Sequence, residues 1–195
     1  MTFVEVVGIV AAEPNGGGLT SAKGECLDRL APAERRARIR AQRATAQEKF
    51  LLFRVGEELY GLGLRGLREV LLPEGLTPLP SPPYRVCAAH EHRGHRLPVI
   101  HMRVLFEVSP TGSPPTARVI LTEGEGRPLG LLVDEVREMI DVDPTRLGTV
   151  PALATLLPSA CFRGLVTRQD RIILLMNEDG LGRLDEVVQF YATGT

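Results

Sequence analysis

Prolines and glycines interrupt this sequence so often that no long helix can pass through its middle. Pro73, Pro78, Pro80, Pro82 and Pro83 crowd the stretch between Val70 and Tyr84. Each removes a backbone donor and clashes with a preceding helical turn. The apolar runs between such breaks are short: Phe50 to Val55, Leu59 to Leu64, Ala117 to Thr122, Arg127 to Val133, Cys161 to Thr167 and Arg171 to Met176. Runs of this length, rich in large or branched apolar residues, read as strands. Leu59-Tyr60-Gly61-Leu62-Gly63-Leu64 also places leucine at alternate positions, the period of a strand face. The expected fold is mainly β, built as small closed barrels.

The central stretch, Tyr84 to Phe106, reads YRVCAAHEHRGHRLPVIHMRVLF. It predicts strands over about Arg85 to His92 and His95 to His101, joined by a tight turn at Arg93-Gly94. Glycine accepts the positive φ that such a turn needs. Pro98 cannot donate to a ladder, which places it at an edge or a bulge. Met102 to Phe106 predicts one short helical turn, and Arg93 is displayed on a hairpin tip. Gly56-Glu57-Glu58, Glu123-Gly124-Glu125-Gly126 and Arg168-Gln169-Asp170 are the other turns. Leu67 and Val70, three apart, predict a helical turn or two over Arg65 to Val70. Asp134 to Asp141 fits a bent strand or a short helix, and Asp143 to Pro158 a leucine-bearing loop. Gly180 to Phe190 predicts a closing helix with Leu184, Val187 and Val188 as its apolar face. Ser109-Pro110-Thr111-Gly112-Ser113-Pro114-Pro115 reads as an internal linker. It divides a first barrel half, about 48–108, from a second, about 116–190.

Residues 1–46 read as a flexible extension ahead of a globular region over 47–192. Gly16-Gly17-Gly18 marks a linker, and Pro32 to Glu48 a basic helix whose one large hydrophobe is Ile39. Such a helix suits a solvated lead-in, or an arm for an acidic partner or anionic lipid. Net charge is −1 and the chain has no tryptophan, which argues against a nucleic-acid footprint or base-stacking platform. No apolar run reaches the ~20 residues that span a bilayer, so no direct membrane insertion is expected. The three cysteines, Cys26, Cys87 and Cys161, are far apart, which fits a reducing cytoplasm. Cys87 and Cys161 read as buried small hydrophobes.

Catalytic signatures do not emerge. There is no phosphate loop with its lysine and no Gly-x-Ser-x-Gly elbow. Asp134 and Glu135 are adjacent, point to different sides of a strand, and read as surface charge. The four histidines, His90, His92, His95 and His101, all lie in the central hairpin. His90 and His92 share a strand face by period two, and such a cluster can hold zinc. The spacing matches no standard site, and Cys87 falls on the face opposite His90. The expectation is therefore no enzyme, no cofactor and no metal.

The Arg93-Gly94 hairpin, with its apolar-Pro-Val-Ile strand and Arg-containing turn, resembles the CheW family of chemotaxis adaptors. Four further stretches are similar to that family in the same order: Glu48 to Val70, Pro78 to Tyr84, Gly130 to Ile140 and Phe162 to Asn177. The resemblance implies two small five-stranded SH3-like barrels packed together, with short helices and a C-terminal helix. It implies a cytoplasmic, non-catalytic adaptor, associated with receptor arrays at the membrane. Its partners would be the regulatory domain of a CheA-type histidine kinase and the cytoplasmic tip of methyl-accepting chemoreceptors. Carried onto this chain, the partner-binding residues are Glu69, Arg93 and Gly94, with Glu69 on an exposed segment. The chain departs from the family at His90 and His92, usually apolar; at Glu91, usually asparagine; at Ala88, usually glycine; and at His101, usually aspartate. Two alternatives follow. One is a specialised adaptor of another array, controlling surface motility or development. The other is a metal- or redox-responsive module using His90, His92 and Cys87.

Overall fold

Apolar residues in the strands point two ways, and both ways are buried. In the first strand Leu51, Phe53 and Val55 enter one core while Phe50 and Leu52 enter another. Period-two geometry sends successive side chains to opposite faces, so a run without polar alternation marks a strand covered on both sides. The computed structural model describes residues 47–79, 85–108, 114–151 and 157–193, all within the compact unit Gln47–Thr195. Residues 1–46, including Cys26 and the basic stretch up to Ala46, lie outside the described residues, as does most of the linker after Val108.

The strands are β1 Glu48–Val55, β2 Glu58–Gly63, β3 Glu69–Leu71, β4 Leu76–Pro78, β5 Val86–His92, β6 His95–His101, β7 Arg118–Gly124, β8 Arg127–Val133, β9 Glu135–Val142, β10 Phe162–Arg168 and β11 Arg171–Met176. The α-helices are α1 Met102–Leu105, α2 Glu178–Gly182 and α3 Asp185–Thr193. A five-stranded sheet runs β10-β11-β2-β1-β9, and a six-stranded sheet runs β3-β7-β8-β6-β5-β4. Both curl towards closure as two SH3-like barrels. In the first, Gly148 bridges to Leu165 and Arg168 lies 3.7 Å from Glu138. In the second, β3 and β4 are short strands separated by the 3-10 turn Pro73–Gly75. There His92 reaches Glu69 and His90 reaches the Gly75 carbonyl across the seam.

The sheets do not divide the chain at the internal linker. The opening hairpin β1–β2 shares its sheet with the closing hairpin β10–β11 through a parallel pairing of β2 with β11. The second barrel is built from β3 to β8 of the chain between them, its two halves joined at mid-sheet by the parallel pairing of β6 with β8. Val119, Leu121, Leu97 and Val99 fill its interior. Ile100, Ile120, Leu129 and Leu131 face outward and join Leu51, Phe53 and Leu62 in the core between barrels.

Several local expectations give way to tertiary contacts. Arg65 to Val70 is not helical; it turns and then enters β3, whose residues pair with β7. For Asp134 to Asp141, read as a bent strand or a short helix, the strand holds: β9 runs from Glu135 and pairs with β1. Pro98 sits in an interior strand, tolerated because the β6–β8 ladder begins only at Val99. The closing helix is split into α2 and α3. A Cβ on Gly180 would come 1.9 Å from the Ala160 carbonyl oxygen, and one on Gly182 2.8 Å from the Gly124 backbone, so these glycines let α2 press against its neighbours. On α3, Val187 and Phe190 are buried and Val188 is exposed. Its inner face thus runs through Val187, Phe190 and Tyr191, continued by Leu184 just ahead of it. Cys161 is buried as expected, whereas Cys87 is only half-buried.

Candidate partner-docking surface

The β5–β6 hairpin is closed by two residues in left-handed backbone, Arg93 at φ 52° and Gly94 at φ 78°. Two successive positive φ values define the turn whose twist matches paired strands. Strand pairing holds to the last step, with His92 opposite His95 and Glu91 opposite Arg96. Arg93, Gly94, His95 and Arg96 are exposed. Arginine is not a preferred residue at positive φ, so the tip stores local strain while presenting a guanidinium to solvent.

Glu69 is half-buried on β3 rather than on an exposed segment. Its Oε2 lies 3.9 Å from Nε2 of His92, the residue before Arg93. The barrel seam therefore brings Glu69 beside the hairpin that carries Arg93 and Gly94, although the sequence separates them by more than twenty positions. His90 stands 6.2 Å from His92, ring centre to ring centre, and its Nδ1 lies 3.3 Å from the Gly75 carbonyl. Among the described residues, no three His, Cys, Asp or Glu side chains converge as a group able to hold a metal. The Cys87 thiol sits 3.4 Å from the Val99 carbonyl, to which it donates. Burial pushes its pKa up to about 11.

Asp134 is the residue that sequence reasoning misplaced. It is 3% exposed, not surface charge. Arg103 Nε and Nη2 donate to its two oxygens at 2.7 and 2.9 Å, and the Gly56 N–H donates to Oδ2 at 2.7 Å. Burial opposes ionisation, but the hydrogen bonds from Arg103 and Gly56 and the charges of Arg103 and Arg54 outweigh it. The carboxyl is held below the ordinary range. Arg54 donates to the Gly56 carbonyl at 2.7 Å and to Glu135 at 3.2 Å. The cluster stands where the chain leaves β8 of one barrel and enters β9 of the other. A buried carboxylate needs such a bidentate partner; the Arg-Val-Leu turn after His101 was the available signal.

A cleft of about 370 Å³ opens elsewhere, lined by Arg65, Arg68, Glu123, Arg163, Asn177 and Glu178 among others. Its charges are largely spoken for: Arg68 pairs with Glu123, and Arg163 with Glu48. Burial raises the Glu178 carboxyl, despite hydrogen bonding from Gly63 and the charge of Arg163. No helix among the described residues is long and apolar enough to cross a membrane.

Comparison with known proteins places this geometry. The CheW-like domain family model matches residues 49–186. The chemotaxis protein CheW of Rhizobium meliloti (strain 1021) is 26% identical over 135 residues, covering 68% of this chain and 86% of that protein. The CheW of Treponema pallidum (strain Nichols) is 23% identical over 144 residues, covering 71% and 85%. The crystal structure of the scaffolding protein TtCheW from Thermoanaerobacter tengcongensis aligns with a TM-score of 0.65 and 28% identity, over 72% of this chain and 90% of that one. A family match that spans the unit from β1 into α3, together with the paired barrels, makes this chain a member of the CheW-like family.

Proposed function

We propose that the chain is a non-catalytic adaptor of a chemosensory array, joining a CheA-type histidine kinase to methyl-accepting chemoreceptors. The observation that carries the reading is the exposed Arg93-Gly94 tip beside Glu69, on a two-barrel unit of the CheW-like family. A guanidinium there can engage a partner carboxylate or carbonyl through several donors. The kinase regulatory domain would meet one face and the receptor tip another. Two weak interfaces on one body assemble a ternary complex through effective concentration rather than one tight contact. The adaptor would act in the cytoplasm, at receptor arrays.

A second reading, a specialised array with its own partner set, is favoured by the His92–Glu69 contact. Here a histidine, at a place usually apolar in the family, stands 3.9 Å from the carboxylate expected to face a partner. Pull-down of the full chain against each kinase and receptor of the same cell tests both. Capture of a kinase and a receptor together supports adaptor function, and which pair is captured decides between the readings. Capture of neither sinks both.

A further inference from the structure

His101 ends β6 and stands at the N-cap of α1 with extended backbone (φ −83°, ψ 104°), yet its side chain caps nothing. Its N–H donates to the Arg85 carbonyl at 3.0 Å, and it lies in register with Leu132 of β8. Nδ1 is buried and has no hydrogen-bond partner among the described residues. Two charged groups act on the ring: Arg103 of α1 and Asp134 at the β8–β9 crossover. From β8 the neighbour is hydrocarbon. From the residue just ahead of β5 comes Arg85, whose guanidinium pairs with Glu186 of α3 at 2.8 Å.

We propose that His101 makes the joint between the two barrels acid-sensitive: a proton on its ring, whose Nδ1 is buried without a partner among the described residues, adds a further cation to Arg103 and Arg54, competes for Asp134 and loosens the β1–β2 turn held at Gly56. Asp134 already faces two cations, with Arg54 Nη1 4.0 Å from its Oδ2 behind the closer Arg103. Arg103 takes both oxygens of Asp134, and Gly56 takes Oδ2 as a third donor. Glu135, the next carboxylate along, is engaged by Arg54 and Arg137. An imidazolium therefore has no carboxylate of its own. Burial first, and then the charge of Arg103, hold the His101 pKa below its ordinary value, against the pull of Asp134. A group whose folded pKa lies below its unfolded one makes the fold lose stability as pH falls through the ordinary imidazole range, until the lowered value is passed. Asp134 stays ionised in that window, because its carboxyl lies below the ordinary range.

The test is hydrogen exchange at the Gly56 amide in the full chain, from about pH 7.5 to 5, the range in which imidazoles change charge. Protection, corrected for intrinsic exchange, should fall in the parent by at most about tenfold per pH unit, the limit for one proton. It should stay level in His101→Asn, which leaves His90, His92 and His95 in place. Parallel profiles in parent and variant would overturn the proposal. If His101→Asn does not fold, NMR titration of the parent decides. Loss of Gly56 protection that tracks protonation of the His101 ring supports the proposal; loss that tracks another histidine, or none, overturns it.

Discussion

The β5–β6 and β7–β8 hairpins end in the same turn and do opposite things with it. Arg93-Gly94 has φ values of 52° and 78°, and Glu125-Gly126 has 53° and 71°. At both glycines an added Cβ would meet nothing within 4 Å. Around Glu125, however, every handle is taken. Its N–H donates to Asp179 at 2.8 Å, its carboxylate pairs with Arg183, and the following Arg127 lies over the Tyr191 ring. The C-terminal helices pin that tip, whereas Arg93 projects from the fold. The backbone turn alone thus does not decide whether a tip is free; what surrounds it does. At their bases the two hairpins are alike again, joined by parallel β6–β8 pairing and by the Arg103–Asp134 pair just beyond it.

The sharpest way to break the comparison is at this shared base. Asp134→Ala takes the bidentate carboxylate away from the half-buried Arg103 and the Gly56 N–H and should cost about 2–3 kcal/mol, read by urea unfolding. A loss under about 1 kcal/mol would mean that the pair does not hold the base. The same carboxyl sets an acid limb. Because its folded pKa is depressed, its contribution is complete above the ordinary aspartate range, near pH 4, and disappears as pH falls from there through the lowered value. An acid titration in which Asp134→Ala and the parent lose stability in parallel would remove that assignment.

At the tips the effects separate. Arg93→Ala should melt like the parent, within about 0.5 kcal/mol. It should also weaken recruitment of kinase or receptor by about 2 kcal/mol, measured by calorimetry with purified partners. Undiminished binding to every candidate partner would show that this tip is not the interface. Gly94→Val and Gly126→Val each force a branched residue into left-handed backbone. Each should cost about 1–2 kcal/mol in thermal melts, the two matching because neither site is crowded. A much larger loss at Gly126 would mean that the pinned turn resists relaxation. Smallest is Glu125→Ala, which removes an exposed ion pair with Arg183 and should cost less than about 1 kcal/mol, with partner binding unchanged. A binding defect there would undo the contrast between the tips.

Local chemistry made the elements legible. Short apolar runs between glycines and prolines predicted the hairpins, and β6 falls on the predicted His95 to His101. The Arg93-Gly94 turn needs only its own two residues and their flanks, so a linear reading reaches it. The same holds for the short helix at Met102, where the β pattern ends. These features depend on side-chain period and backbone sterics within a few residues.

Tertiary structure alone decided what is joined to what. The opening hairpin pairs with the closing one through β2 and β11, more than a hundred residues apart, a choice that strand periodicity does not encode. Glu69 meets His92 only because a barrel closes. Asp134 reads as surface charge in the sequence because its partners lie 31 and 78 positions away, at Arg103 and Gly56. A charged residue is expected at the surface unless a partner offsets its desolvation. The β6–β8 pairing brings Arg103 to Asp134 and the packing of one barrel on the other brings Gly56, and no local pattern carries either.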